Sequence, residues 1–285
     1  MLHVLDSHVH FWEPARLRYL WLDDLPTLNR AFLPEHLPVQ GADWWVAGWV
    51  FVQADCAREQ GLQETAWIAS LARTKTRLKG IVAFAPLELG AAVRPWLVEL
   101  KQQPLVKGVR RLIQSEPPGF SLQPGFVAGV QLLAEYGFTC DLCIRHFQMG
   151  EVIELVRRCP QVRFVLDHCG KPDIKNGALD PWRRDLAELA TLPNVMCKLS
   201  GLVTEADWTR WQAVDLRPYV EHVLATFGVA RVMFGSDWPV VTLAATYERW
   251  LETTIELTAA LSEAERMQLY FLNALHFYGL GDQTA

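Results

Sequence analysis

Three short stretches carry side chains that could do chemistry together. Asp6-Ser-His8-Val-His10 ends an apolar run near the N-terminus, Asp167-His168 ends a later run, and Gly235-Ser-Asp237-Trp-Pro239 ends the last. Residues two apart on a strand face one side, so Asp6, His8 and His10 are expected to line up. Two imidazoles so placed can ligate a metal or hydrogen-bond a substrate oxygen. An ionised Asp237 could take a proton from water or complete a metal's ligand set. Asp6, one layer deeper, is expected to orient an imidazole or pair with a cation, because an unpaired buried carboxylate is costly. Any one of these stretches is common. Their combination at strand ends carries the argument.

Eight apolar runs rich in branched and aromatic residues could supply those strands: 4–5 leading to His8, 46–53, 80–85, 106–112, 138–144, 162–167, 195–199 and 231–235. Helical periodicity fills the intervals at 59–71, 91–101, 126–136, 151–158, 182–190, 216–227 and 247–259. Pro95 suits a first turn, and Gly137 and Gly228 suit positions just past helix ends. Near-continuous apolar strands indicate a parallel sheet covered on both faces. No linker or low-complexity tract divides the chain, so one α/β domain is expected over 1–285, a (β/α)8 TIM barrel. The segment from Trp12 to Trp45 is too long for an ordinary strand–helix connection. It reads equally as a lid or pocket wall and as an elaboration packed on the barrel.

The composition is 51% hydrophobic and 21% charged, which excludes intrinsic disorder. With 27 Lys+Arg against 32 Asp+Glu there is no basic field for nucleic acid. No apolar stretch is long enough for a membrane span, and the N-terminus lacks the features of a secretory signal. A cytoplasmic protein with six reduced cysteines is expected. Cys140 and Cys143 form a C-x-x-C within a strand, where that spacing puts the thiols on opposite faces; they read as packing residues.

Asp6-Ser-His8-Val-His10-Phe-Trp, Leu166-Asp-His168-Cys-Gly-Lys-Pro172 and Phe234-Gly-Ser-Asp237-Trp-Pro239 resemble the amidohydrolase superfamily, most closely its amidohydrolase-related branch of sugar lactonases. Cys197-Lys-Leu-Ser-Gly-Leu-Val-Thr-Glu205 and Asn273-Ala-Leu-His-Phe-Tyr-Gly279 are also similar to that branch. Within it the chain looks most like L-fuconolactonases and L-rhamnonolactonases. The resemblance implies a barrel that opens the ring ester of a sugar lactone. It matches His8, His10, His168 and Asp237 to family site positions. Metal-dependent relatives also carry a histidine at the end of strand five. Here that run ends Cys143-Ile-Arg145-His146, and His146, just beyond the apolar run, is the candidate counterpart.

Asp237 is therefore expected to be the general base, with His8, His10 and His168 hydrogen-bonding the developing oxyanion. Either no cofactor is required or one divalent metal, zinc first, sits on His8, His10 and Asp237. Gln53, Arg110, Gln148, Lys171, Trp12 and Trp238 are the candidates for binding sugar hydroxyls or stacking on the ring. The expected partner is a small sugar lactone, not nucleic acid or membrane, and a homo-oligomer is compatible with the sequence. The competing readings are a zinc-dependent decarboxylase or hydrolase of an unsaturated carboxylate, and a non-catalytic sugar-binding barrel.

Overall fold

Each of the eight apolar runs becomes a strand, and the strands are largely buried on both faces. A computed structural model describes residues 1–281; the last four positions of the expected domain lie outside the described residues. The strands are β1 (Leu2–Val9), β2 (Trp44–Val52), β3 (Leu78–Ala83), β4 (Val106–Arg110), β5 (Thr139–Leu142), β6 (Phe164–Leu166), β7 (Val195–Leu199) and β8 (Val232–Phe234). They pair in parallel in sequence order. Val9 bridges to Trp238 in parallel, the His10 amide donates to the Trp238 carbonyl (2.7 Å), and the Asp237 amide to the His8 carbonyl (2.9 Å). These bonds bring β1 against the end of β8 and make the (β/α)8 TIM barrel.

Seven longer helices cover the strands: α1 (Gly61–Ala72), α2 (Arg94–Lys101), α3 (Pro124–Tyr136), α4 (Met149–Arg158), α5 (Trp182–Ala190), α6 (Ala213–Phe227) and α7 (Tyr247–Leu257). Gly137 follows α3 in the left-handed conformation (φ 71°), as expected of a helix stop. Sequence periodicity missed the C-terminal elements α8 (Glu263–Met267) and α9 (Asn273–Phe277), because a π turn at Gln268–Leu272 separates them and breaks the 3.6-residue pattern. Asn273 Nδ2 donates to the carbonyls of Val229 and Val232 at 2.7 Å each, tying this end to β8. No helix of the described residues is long and apolar enough to cross a membrane. All six cysteines are free and buried.

The long segment after β1 packs on the barrel through an aromatic cluster. Trp12 contacts Tyr19, Trp21 and Phe32, and Phe32 contacts Trp238. Trp21 Nε1 donates to the Ala54 carbonyl just beyond β2. Asp6 departs from expectation. Its Oδ1 accepts the backbone amides of His8 (3.1 Å) and Ser236 (2.9 Å). It therefore joins β1 to the turn after β8 and neither orients an imidazole nor pairs with a cation.

Glu64 on α1 is also buried, and its carboxylate accepts the Ala54 amide (3.2 and 3.4 Å). Burial pushes its carboxyl up to about 8. The native state thus keeps a proton that the unfolded chain releases near pH 4.5, so stability falls as pH rises from there toward 8. Glu64→Gln is expected to remove that slope. Its Tm should exceed the parent's at pH 8 and match it near pH 4.5, read by calorimetry across the range.

Candidate active site

The ladder between β1 and β2 slips between Asp6 and Val9, turning the end of β1 so that both imidazoles enter the barrel mouth. His8 is fully buried and His10 nearly so. Gly235 lies against His8, and a Cβ there would sit 2.8 Å from the His8 Cβ. His168 and Asp237 follow β6 and β8 with φ of 54° and 60°. Left-handed backbone in non-glycine residues is uncommon and concentrates at functional sites.

These four side chains converge. His8 Nε2 is 3.2 Å from His10 Nε2. Asp237 Oδ1 is 3.3 Å from His10 Nε2, 3.7 Å from His8 Nε2 and 3.9 Å from His168 Nε2. Behind them, His168 Nδ1 meets Ser200 Oγ at 2.9 Å, and His8 Nδ1 faces Asp167 Oδ1 (3.3 Å) and Lys198 Nζ (3.2 Å). His10 Nδ1 lies 2.7 Å from the Val52 carbonyl, which can only accept, so His10 carries its proton there. The His10 Nε2 lone pair then points at Asp237. This corrects the expectation that all three imidazoles donate to an oxyanion; His10 does not.

Burial disfavours charge on every ring. It pushes His168 down to about 4 and holds His8 and His10 below the usual imidazole range. Burial alone would raise the Asp237 carboxyl, but the neighbouring His168 and His8 hold it well below the usual carboxylate range. Near pH 7 the site is one carboxylate among neutral imidazoles.

That donor set fits a divalent cation. Zinc–nitrogen bonds of about 2.0–2.1 Å in a tetrahedron put ligand atoms about 3.4 Å apart. His8, His168 and Asp237 offer ligand atoms within 4.8 Å of one another, and His10 and Asp237 face each other as two acceptors. Cys143, Asp167 and His168 form a second grouping. Asp167, however, already holds Lys198 Nζ (3.0 Å) and Arg110 Nη1 (3.1 Å). A third cation there would meet two positive charges, so the fit belongs to the group around Asp237.

The expected substrate-binding residues divide. Arg110 reaches the centre, with Nη1 3.2 Å from His8 Nε2 and Nη2 donating to the Gln53 carbonyl (2.6 Å). Gln53 accepts the Asp55 amide through Oε1 (2.6 Å), and its Nε2 has no partner among the described residues. Lys171 Nζ donates to Gln114 (2.6 Å), and its carbonyl accepts from His146 Nδ1 (3.1 Å). His146 is thus engaged away from Asp237. Gln148 spends its side chain on the Arg145 amide and the Ile113 carbonyl, a local cap. Trp12 is fully buried, donates to the Leu28 carbonyl, and lies behind His10 with ring centroids 6.5 Å apart. Trp238 is buried against Phe11 and Phe32. A hollow of about 930 Å³ lined by Leu5, Lys79 and Lys107 opens at the opposite end of the barrel and holds none of these groups.

Composition alone did not point to Asp141 and Lys198, yet a signal existed. Each is a charged residue inside an otherwise apolar strand run, and both are buried.

The family model for amidohydrolases matches residues 5–280. The chain belongs to the amidohydrolase family. It is 36% identical over 299 residues to an L-fucono-1,5-lactonase of Burkholderia multivorans, covering 97% of this chain and 96% of that one. It is 27% identical to an L-rhamnono-gamma-lactonase of Scheffersomyces stipitis, covering 97% and 98%. An amidohydrolase from Burkholderia multivorans, solved with bound zinc, superposes with a TM-score of 0.84 at 33% identity, covering 97% of this chain and 99% of that one. As an amidohydrolase, the chain carries its chemical groups where that barrel's strands end, at the C-terminal mouth.

Proposed function

We propose that this amidohydrolase hydrolyses the ring ester of a sugar lactone, with L-fucono-1,5-lactone the first candidate. The observation that carries the reading is the convergence of an ionised, buried Asp237 with three neutral imidazoles. The lactonase names of two relatives that match almost the whole chain support the substrate class.

In the proposed mechanism Asp237 Oδ1 takes a proton from the water that attacks the lactone carbonyl carbon. His168 and His8 stabilise the oxyanion, while His10, its Nδ1 proton donated to the Val52 carbonyl, presents its Nε2 lone pair beside Asp237 as a second acceptor for the attacking water. As the ring C–O bond breaks, Asp237 returns the proton to the departing alkoxide, leaving the open aldonic acid. His8, His10 and Asp237, with His168 beside them, would hold a zinc ion, which when bound supplies Lewis-acid polarisation of the carbonyl and acidifies water. Gln53, Arg110 and Lys171 are the proposed contacts for sugar hydroxyls, with Trp12, Trp238 and Gln148 as the packed shell behind them.

A pH-indicator screen of aldonolactones, run with zinc added and with a chelator, tests the reading. Acid release from L-fucono-1,5-lactone or a close stereoisomer is expected, with the chelator lowering kcat. If no aldonolactone is opened under either condition, the reading is wrong.

A further inference from the structure

Beneath the four converging side chains lies a second layer of charge, in which the proposed reaction gives a part only to Arg110. Interiors of such barrels are ordinarily filled by branched apolar side chains. Here Arg110 on β4, Asp141 on β5, Asp167 after β6 and Lys198 on β7 meet beside His8, each no more than 4% exposed. Lys198 Nζ sits 2.5 Å from Asp141 Oδ2, 3.0 Å from Asp167 Oδ1 and 3.2 Å from His8 Nδ1. Tyr278, just past α9, donates its hydroxyl to the same Asp141 oxygen at 2.8 Å. Two cations balance two carboxylates.

A buried, charge-balanced cluster is a poor way to gain stability, since well-packed apolar replacements of similar volume often do as well or better. Its retention needs another reason, and the reason is what it touches. We propose that Lys198, anchored by Asp141 and Tyr278, is a positioning residue that fixes the ring of His8 toward Asp237. The proposal rests on the lactonase reading for its kinetic consequence but not for its structural one.

The test replaces the anchor as a neutral unit, Lys198→Met with Asp141→Leu and Tyr278→Phe, which leaves the Arg110–Asp167 pair intact. The triple variant is expected to melt at or above the parent's Tm. Its kcat should fall about 100-fold, the scale of a misplaced catalytic group, with KM changed less than threefold. In protein labelled with 15N-histidine, the two His8 ring nitrogens should shift. Tyr278→Phe alone, which keeps the ring packing, should give a two- to fivefold loss of kcat and a smaller shift of the same His8 resonances. Unmoved His8 resonances in both variants overturn the proposal, as does a parental kcat in the triple variant. If the parent turns over no lactone, the lactonase reading fails while the His8 resonances still decide this one.

Discussion

Asp237→Asn is expected to lower kcat by about 10³-fold or more while leaving the barrel folded. Proton transfer by a positioned side chain contributes roughly 10²–10⁴, and Asp237 is proposed to act at both ends of the reaction. Asparagine keeps the size of the side chain and still accepts from a donor, but it cannot take a proton. It also tolerates the left-handed backbone that residue 237 adopts at φ 60°, where alanine would add strain of its own. The loss can therefore be read as chemistry. The stability effect has a definite sign. The folded carboxyl is held below its unfolded value near 3.8, so its ionisation stabilises the fold at neutral pH and that contribution is lost as pH falls further. The variant should melt a few degrees below the parent at pH 7, and the gap should close below about pH 4. Turnover within tenfold of the parent would remove Asp237 from the role of base.

The strands and the four converging residues were legible in the sequence for the same reason. A parallel strand buried on both faces reads as a continuous apolar run, and a polar residue closing such a run lies at the barrel mouth, as His8, His10, His168 and Asp237 do. What escaped depended on partners distant along the chain. Lys198 is 57 residues from Asp141 and 190 from His8, and neither pairing leaves a local pattern. Asp6 looked like a partner for a side chain, yet its partners are backbone amides, which no sequence pattern marks. Gln148 and Trp12 stand next to the right strand ends, but adjacency along a strand does not say which way a side chain turns. The local cap at Arg145 claims Gln148, and the aromatic cluster of Tyr19, Trp21 and Phe32 claims Trp12.

Gly201→Ala is expected to cost about 100-fold in kcat through a residue that carries no functional group. Gly201 follows β7 at φ 64°, and a Cβ built there would lie 2.6–2.7 Å from the Nδ1, Cβ and Cγ of His168. Contacts that close cannot persist, so the imidazole must move or the backbone must open. His168 cannot turn freely, because its own backbone is left-handed and its Nδ1 is held by Ser200. The ring would be pushed off its line to Asp237, and displacement of about 1 Å suffices for a loss of this size. Two costs are mixed in the variant, backbone strain and the collision, and Gly137→Ala separates them. Gly137 has a similar φ of 71°, but a Cβ there meets only the Lys101 amine at 3.8 Å. Both variants should lose about 1–2 kcal/mol of stability from the left-handed backbone. Only Gly201→Ala should lose turnover. Equal activity in the two would mean that the position of His168 does not limit the reaction, and its assigned part in stabilising the oxyanion would have to be given up.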